Sequence, residues 1–147
     1  MAAMTTTQAM VVHWELTRLN NAFAFYLDNG DFESLIELFT PDALFDRAGL
    51  VHRGHDELRQ GMAERPQVTT RHLLSNFHLT RANEDTAEAV SCAMVYHGPA
   101  AENGEPVVYA TDNGRVIEFD DRYVKTPDGW RISSRIARPI FTPKVWP

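Results

Sequence analysis

Apolar positions follow a helical period in the first third of the chain and a period of two over most of the rest. Val12, Leu16, Leu19, Phe23 and Tyr26 recur at alternating steps of four and three, which sets them on one face of an amphipathic helix beginning near Thr6. A second stripe, Trp14, Arg18, Asn21, Phe25 and Asp28, keeps the same spacing on nearly the opposite side. Two readings stay open for it: a face that closes over a cavity, or packing of Trp14 and Phe25 against another helix or a neighbouring chain. Asn29-Gly30 stops the helix, because glycine accepts the left-handed conformation of a C-terminal cap. Asp31 then caps a short helix from Phe32 to Phe39, with Phe32, Leu35, Ile36 and Phe39 on its apolar side. Thr40-Pro41-Asp42 ends that helix. Ala43 to Arg47 and Leu50 to Arg53 read as two short strands about an Ala48-Gly49 turn. Gly54 to Ala63 is a third helix, with Leu58 and Met62 four apart on its buried side.

After Arg65-Pro66 the period changes. In Thr69 to Arg81, Thr70, His72, Leu74, Asn76 and His78 alternate with Arg71, Leu73, Ser75, Phe77 and Leu79. Both sets mix apolar with polar side chains, as expected of a strand lining a partly polar pocket. Asn83-Glu84-Asp85 turns the chain into Thr86 to His97, with Val90, Cys92, Met94 and Tyr96 sharing a face. Gly98 to Pro106 is a loop by its breakers. Val107 to Lys125 predicts a third long strand, bent or bulged at Asp112-Asn113-Gly114, the device by which a sheet curls round a cavity. Thr126-Pro127-Asp128-Gly129 turns into a last strand from Trp130 to Phe141. Helices first and long antiparallel strands afterwards predict an α+β fold, one domain over residues 1–147.

Composition narrows the function. The chain has 147 residues, 44% hydrophobic and 23% charged, and a net charge of −6 with no basic run, which argues against nucleic acid or an anionic membrane as partner. Cys92 is the only cysteine, so no internal disulfide or cysteine-rich metal site is expected. MAAMTTTQAM lacks the basic and apolar regions of a secretion signal, and no segment reaches the ~20 apolar residues of a membrane span. A cytoplasmic protein is expected. There is no glycine-rich phosphate loop, nucleophile elbow or zinc-protease histidine pair. His52 and His55 are three apart, but one ends a strand and the other opens a helix; no metal is expected.

Dispersed ionisable groups remain as candidates for chemistry: Asp28, Asp46, His72, His97, Arg135 and Arg138. Asp28 falls in the last turn of the first helix, where the helix dipole disfavours a carboxylate by about 0.3 to 1 kcal/mol. A nearby histidine would offset this, and the carboxylate would orient its imidazole so that the other ring nitrogen acts as a base.

Four strings, LDNGDFESLIELFTPDALF at 27–45, HRGHDEL at 52–58, TRHLLSNF at 70–77 and DRYVKTPDGWRISSR at 121–135, resemble the SnoaL-like branch of the nuclear transport factor 2-like superfamily. That branch also holds scytalone dehydratase and the hexachlorocyclohexane dehydrochlorinases. The resemblance implies a curved antiparallel sheet and N-terminal helices around a cone-shaped pocket. It places the catalytic aspartate on Asp28, the histidine on His72 and an arginine that steadies developing negative charge on Arg135. Other family positions depart: two tyrosines of the dehydratase fall on Leu27 and Arg47, a polar pair on Ile117 and Phe119, and the dehydrochlorinase lysine on Phe23. Scytalone and chlorinated cyclohexanes are therefore not the expected substrates. Trp14, Phe23, Phe25, Tyr26, Asp46 and Tyr96, with Tyr109, are the candidate pocket walls, each with a place in the core as the other reading. The expectation is a cofactor-independent lyase or isomerase acting on a small apolar cyclic or aromatic molecule, in a homodimer or homotrimer. The alternative is a non-catalytic binding or oxygenase small-subunit-like protein that docks through Trp146 and its tail. A third reading, epoxide opening, would need Asp28, Arg135 and Asp121 around one water.

Overall fold

Thr5 starts the longest helix of the computed structural model, which describes residues 3–109 and 114–144. Its hydroxyl accepts the Gln8 N–H at 3.2 Å while the Gln8 side chain accepts the Thr5 N–H at 2.8 Å, a capping box that satisfies two exposed donors. Helix α1 (Thr6–Asn29) ends at Gly30, whose φ of 72° is the left-handed cap the sequence predicts. Its buried stripe runs Val12, Leu16, Leu19, Phe23 and Leu27; Tyr26, expected to finish it, is half-buried at the margin of the core. The second stripe faces solvent rather than a cavity. Trp14 is 59% and Phe25 63% exposed, and the Arg18 guanidinium lies 4.8 Å over the Trp14 ring. At the end of that stripe, Asp28 turns towards the sheet.

Asp31 caps α2 (Phe32–Ile36) by accepting the Ser34 N–H. The helix stops short of its expected end because Phe39 already belongs to β1 (Phe39–Arg47), opposite Ile132 of the last strand. Thr40-Pro41-Asp42 lies inside β1, at a slip in register between Phe39 and Leu44, where Pro41 has no N–H to give a ladder. β2 (Leu50–Arg53) and α3 (Gly54–Ala63) follow, then β3 (Val68–Ala82), β4 (Thr86–Pro99), β5 (Arg115–Thr126) and β6 (Gly129–Phe141). Residues 107–109, expected to open the third long strand, lie outside it. Asp112 and Asn113 of the expected bend, and Trp146, lie outside the described residues.

The six strands form a curved, open sheet in the order β2-β1-β6-β5-β4-β3. The α+β architecture is the one expected, with one correction: β1 runs parallel to β6 while the other neighbours are antiparallel. The inner face of β4 carries small side chains, Ala87, Ala89, Ser91 and Ala93, which leave room for the apolar stripe of α1 over the sheet. Val90, Cys92, Met94 and Tyr96 share the opposite face, as their spacing predicts. In β3 the alternation fails at Asn76, whose φ of 54° marks a bulge where pairing jumps from Ser75↔Cys92 to His78↔Val90. Phe77 and Leu79 therefore join Leu74 at the core, and Asn76 and His78 do not. Among the described residues, no helix is long and apolar enough to cross a membrane.

Candidate active site

The end of α1 and the start of β3 meet at one carboxylate. Asp28 Oδ1 lies 2.6 Å from His72 Nδ1 and accepts the Thr70 hydroxyl at 2.8 Å, while Oδ2 accepts the His72 backbone N–H at 2.8 Å. Thr70 and His72 are two apart on a strand, so both point at the same helix end. Burial by itself would push the Asp28 carboxyl up, but the hydrogen bonds from His72 and Thr70 outweigh it and hold the group below its ordinary value. With Nδ1–H given to Asp28, the second ring nitrogen, Nε2, has a lone pair to use. The side chains of His72 and Asp28 are 9% and 7% exposed, enough shelter to strengthen the pair.

His72 and Thr70 line a cavity of about 280 Å³, with Phe23, Phe45, Phe119 and Ile117 among its apolar walls. Three arginines line it as well: Arg47 at the end of β1, Arg65 after α3, and Arg115 at the start of β5. Burial, followed by the charges of its neighbours Arg65 and Arg115, lowers the Arg47 pKa. Burial lowers Arg65 against the pull of Asp28, and lowers Arg115 too. His97, at the same rim, is held below its ordinary value by burial and then by Arg115 and Arg65. Arg65 and Arg115 were not singled out from the sequence, although strand parity held a signal. Arg47 is in step with the buried Ala43 and Phe45, and Arg115 with Ile117 and Phe119.

Several expected site residues are elsewhere. Arg135 is fully buried behind the cavity wall: its guanidinium lies 4.3 Å from the Phe23 ring centre and 4.2 Å from that of Phe119. Asp121 takes its Nε and Nη2 at 2.8 and 2.7 Å, and Nη2 also donates to Asn20. Its Nη1 is buried without a hydrogen-bond partner among the described residues, and the guanidinium makes no hydrogen bond to the dyad and does not line the cavity. The same geometry removes the epoxide-opening arrangement, since Asp28 is not on Arg135 and Asp121 is sealed. Of the expected walls, Phe23 lines the cavity. Trp14 points to solvent, Phe25 borders a groove on the outer side of the dyad, and Tyr26 packs edge-on against Phe25. Asp46 accepts the Gly49 N–H at 2.6 Å and so holds the β1–β2 turn. Tyr96 stacks edge-on with Tyr109 along a separate shallow groove. Arg138 pairs with Asp120 at the surface. His52 packs on Gly61 of α3, while His55 meets the Phe39 carbonyl at 2.9 Å, so the two do not converge. Among the described residues, no group of three or more His, Cys, Asp or Glu is arranged to hold a metal.

A family model described as a SnoaL-like domain matches residues 9–136. The chain belongs to the SnoaL-like family. An uncharacterized protein of Mycobacterium tuberculosis is 30% identical to it, over 86% of this chain and 84% of the relative. Among solved structures, a provisionally named scytalone dehydratase from Novosphingobium aromaticivorans superposes with a TM-score of 0.75 at 21% identity, over 94% of this SnoaL-like chain and 90% of that one. A provisional dehydratase of the NTF2-like family from Streptomyces avermitilis superposes with a TM-score of 0.70 at 25% identity, over 91% and 99%. These likenesses establish a fold; what the SnoaL-like chain does with it turns on the cavity.

Proposed function

We propose that this SnoaL-like protein is a cofactor-independent lyase or isomerase in which His72 is the general base and Asp28 its orienting partner. The observation that carries the reading is the 2.6 Å contact between Asp28 Oδ1 and His72 Nδ1 on the wall of a cavity rich in phenylalanine. His72 Nε2 takes a proton from a substrate carbon, and the carboxylate of Asp28 stabilises the imidazolium that results. In a dehydration the C–H electron pair becomes the new double bond, and the departing hydroxyl takes the proton back from Nε2 to leave as water. In an isomerisation the same proton returns to a different carbon. The dehydratase description of the Streptomyces avermitilis neighbour supports this class of reaction, and the apolar walls support a cyclic or aromatic substrate body.

General-base catalysis of this kind contributes about 10²- to 10⁴-fold. Assayed against hydroxylated cyclic compounds, His72→Ala and Asp28→Asn are expected to lower kcat by roughly a hundredfold or more, with circular dichroism and melting profile retained. An unchanged rate in folded His72→Ala, on a substrate the wild type converts, would leave the cavity as a binding site and end the catalytic reading.

A further inference from the structure

The rim of the cavity is the least explained feature of the molecule. The chain carries a net charge of −6, yet three arginines and no Asp or Glu line this hollow among the described residues. Like charges gathered in a partly dry space repel one another, and the ordinary remedy is a carboxylate between them. Among the described residues the Arg47 guanidinium makes no ion pair or hydrogen bond, and the charges that act on it are those of Arg65 and Arg115. Arg65 is anchored at one end: its Nη2 donates to Thr70 Oγ1 at 3.1 Å, and Thr70 in turn donates to Asp28. One guanidinium thus stands ready for a ligand, and the other is tied to the dyad at one end with its remaining donors at the cavity.

Going inward from the rim, the inner face of β5 reads Arg115, Ile117, Phe119, and that of β1 reads Arg47 and then Phe45. Cations therefore stand at the mouth and rings lie below. His72 is opposite Val95, and Val95 opposite Arg115, so the rim at Arg115 is about two strand spacings, ~10 Å of backbone, from the histidine, while Arg65 reaches Thr70, two residues from it.

We propose that the cavity mouth is a carboxylate-binding site, in which Arg47 and Arg65 hold the anionic group of a small cyclic or aromatic acid whose ring lies against Phe23, Phe45 and Phe119. Two guanidinium forks suit a planar, bidentate oxyanion better than ammonium groups would. The ligand's charge would lie between Arg47 and Arg65, giving the chain a reason to keep both cations in one hollow. Placing the reacting carbon of that acid at His72 rests on the dyad reading. The anion site does not, and the two can fail separately.

The test is titration calorimetry on the full chain with benzoate, its neutral isostere benzamide, and inorganic phosphate. Benzoate is expected to bind at least tenfold more tightly than benzamide and more tightly than phosphate, weakening as salt is raised. Arg47→Gln and Arg65→Gln should each cost tenfold or more against benzoate and leave benzamide unaffected. Arg47→Lys, which keeps the charge and loses the fork, should fall between, and serves if the glutamine variant does not fold. Arg138→Gln, which removes a surface guanidinium paired with Asp120, should bind benzoate within about twofold of wild type, since it lies outside the cavity. Equal affinity for benzoate and benzamide, or folded arginine variants that bind benzoate like wild type, would overturn the proposal. Tighter binding of phosphate than of benzoate would overturn the assignment to an organic acid.

Discussion

Two acid–base pairs lie close to the same phenylalanine rings, and they are built for opposite ends. Asp121 and Arg135 are completely buried, with side-chain exposures of 0%. Asn20 and Tyr123 close the network: the Asn20 amide donates to the Tyr123 hydroxyl at 2.9 Å, and that hydroxyl donates to Asp121 at 2.6 Å. Burial and the adjacent Asp121 charge push the Tyr123 phenol far up, and although burial pulls the other way, Asp121 pushes the Arg135 pKa up as well. The Tyr123 phenol is thereby held protonated and the Arg135 guanidinium charged. Asp28 and His72 differ in two respects: the partner of the carboxylate is an imidazole, which has a second ring nitrogen, and it borders a cavity. The family resemblance expects the arginine beside the dyad. The structure instead shows Arg135 sealed against Asp121 and Asp28 bonded to His72 on the cavity wall.

The sharpest way to break this contrast is to remove one partner from each pair. Arg135→Ala leaves Asp121 buried and uncompensated, and is expected to cost about 3 to 5 kcal/mol in urea unfolding. Arg135→Met combined with Asp121→Leu should recover most of that loss, since a buried ion pair is commonly replaceable by apolar side chains of similar volume. His72→Ala should cost far less stability. An Arg135→Ala protein as stable as wild type would mean that the inner pair is not structural, and Arg135 would return as a candidate for chemistry. A matched deletion of hydroxyls comes next. Tyr123→Phe strips a donor from buried Asp121 and should cost about 1 to 3 kcal/mol with turnover unchanged. Thr70→Val, which takes one of three hydrogen bonds from Asp28, should do the reverse: several-fold slower turnover with little loss of stability.

The sequence supported the elements better than their phase. The α1 stripe, the glycine cap, α3 and the hairpin turns all followed from local chemistry, because spacing and turn residues act within a few positions. What it could not supply was decided at a distance. The bulge at Asn76 reverses the inward face of β3, and nothing in the alternation of Leu74, Asn76 and His78 announces it. Asp28 and His72 are 44 positions apart; local position marked each as a candidate, and the resemblance, not the spacing, joined them. Trp14 and Phe25 were candidate walls because an aromatic stripe says nothing about whether water lies over it. Arg47 was noted as a substituted tyrosine rather than as a cation, although its step with Phe45 already placed it inward.

The smallest expected effect is also the one that reports on Asp28 without any substrate. Its folded pKa lies below the ordinary 3.8, so the folded state favours the carboxylate over the protonated acid. The stability this supplies is fully present above the ordinary value and is lost as pH falls through the depressed one. Asp28→Asn cannot titrate, and it sets an amide where the His72 N–H groups need an acceptor. The stability difference between wild type and Asp28→Asn should therefore shrink as pH falls below the ordinary 3.8 and through the depressed value. Because burial opposes the hydrogen bonds, the amplitude should be well under the loss in Arg135→Ala. Urea melts of both proteins at a series of acid pH values measure it. A difference that stayed constant through the acid range would mean that His72 and Thr70 do not hold the carboxylate in solution, and the contrast with the sealed pair would lose its reactive half.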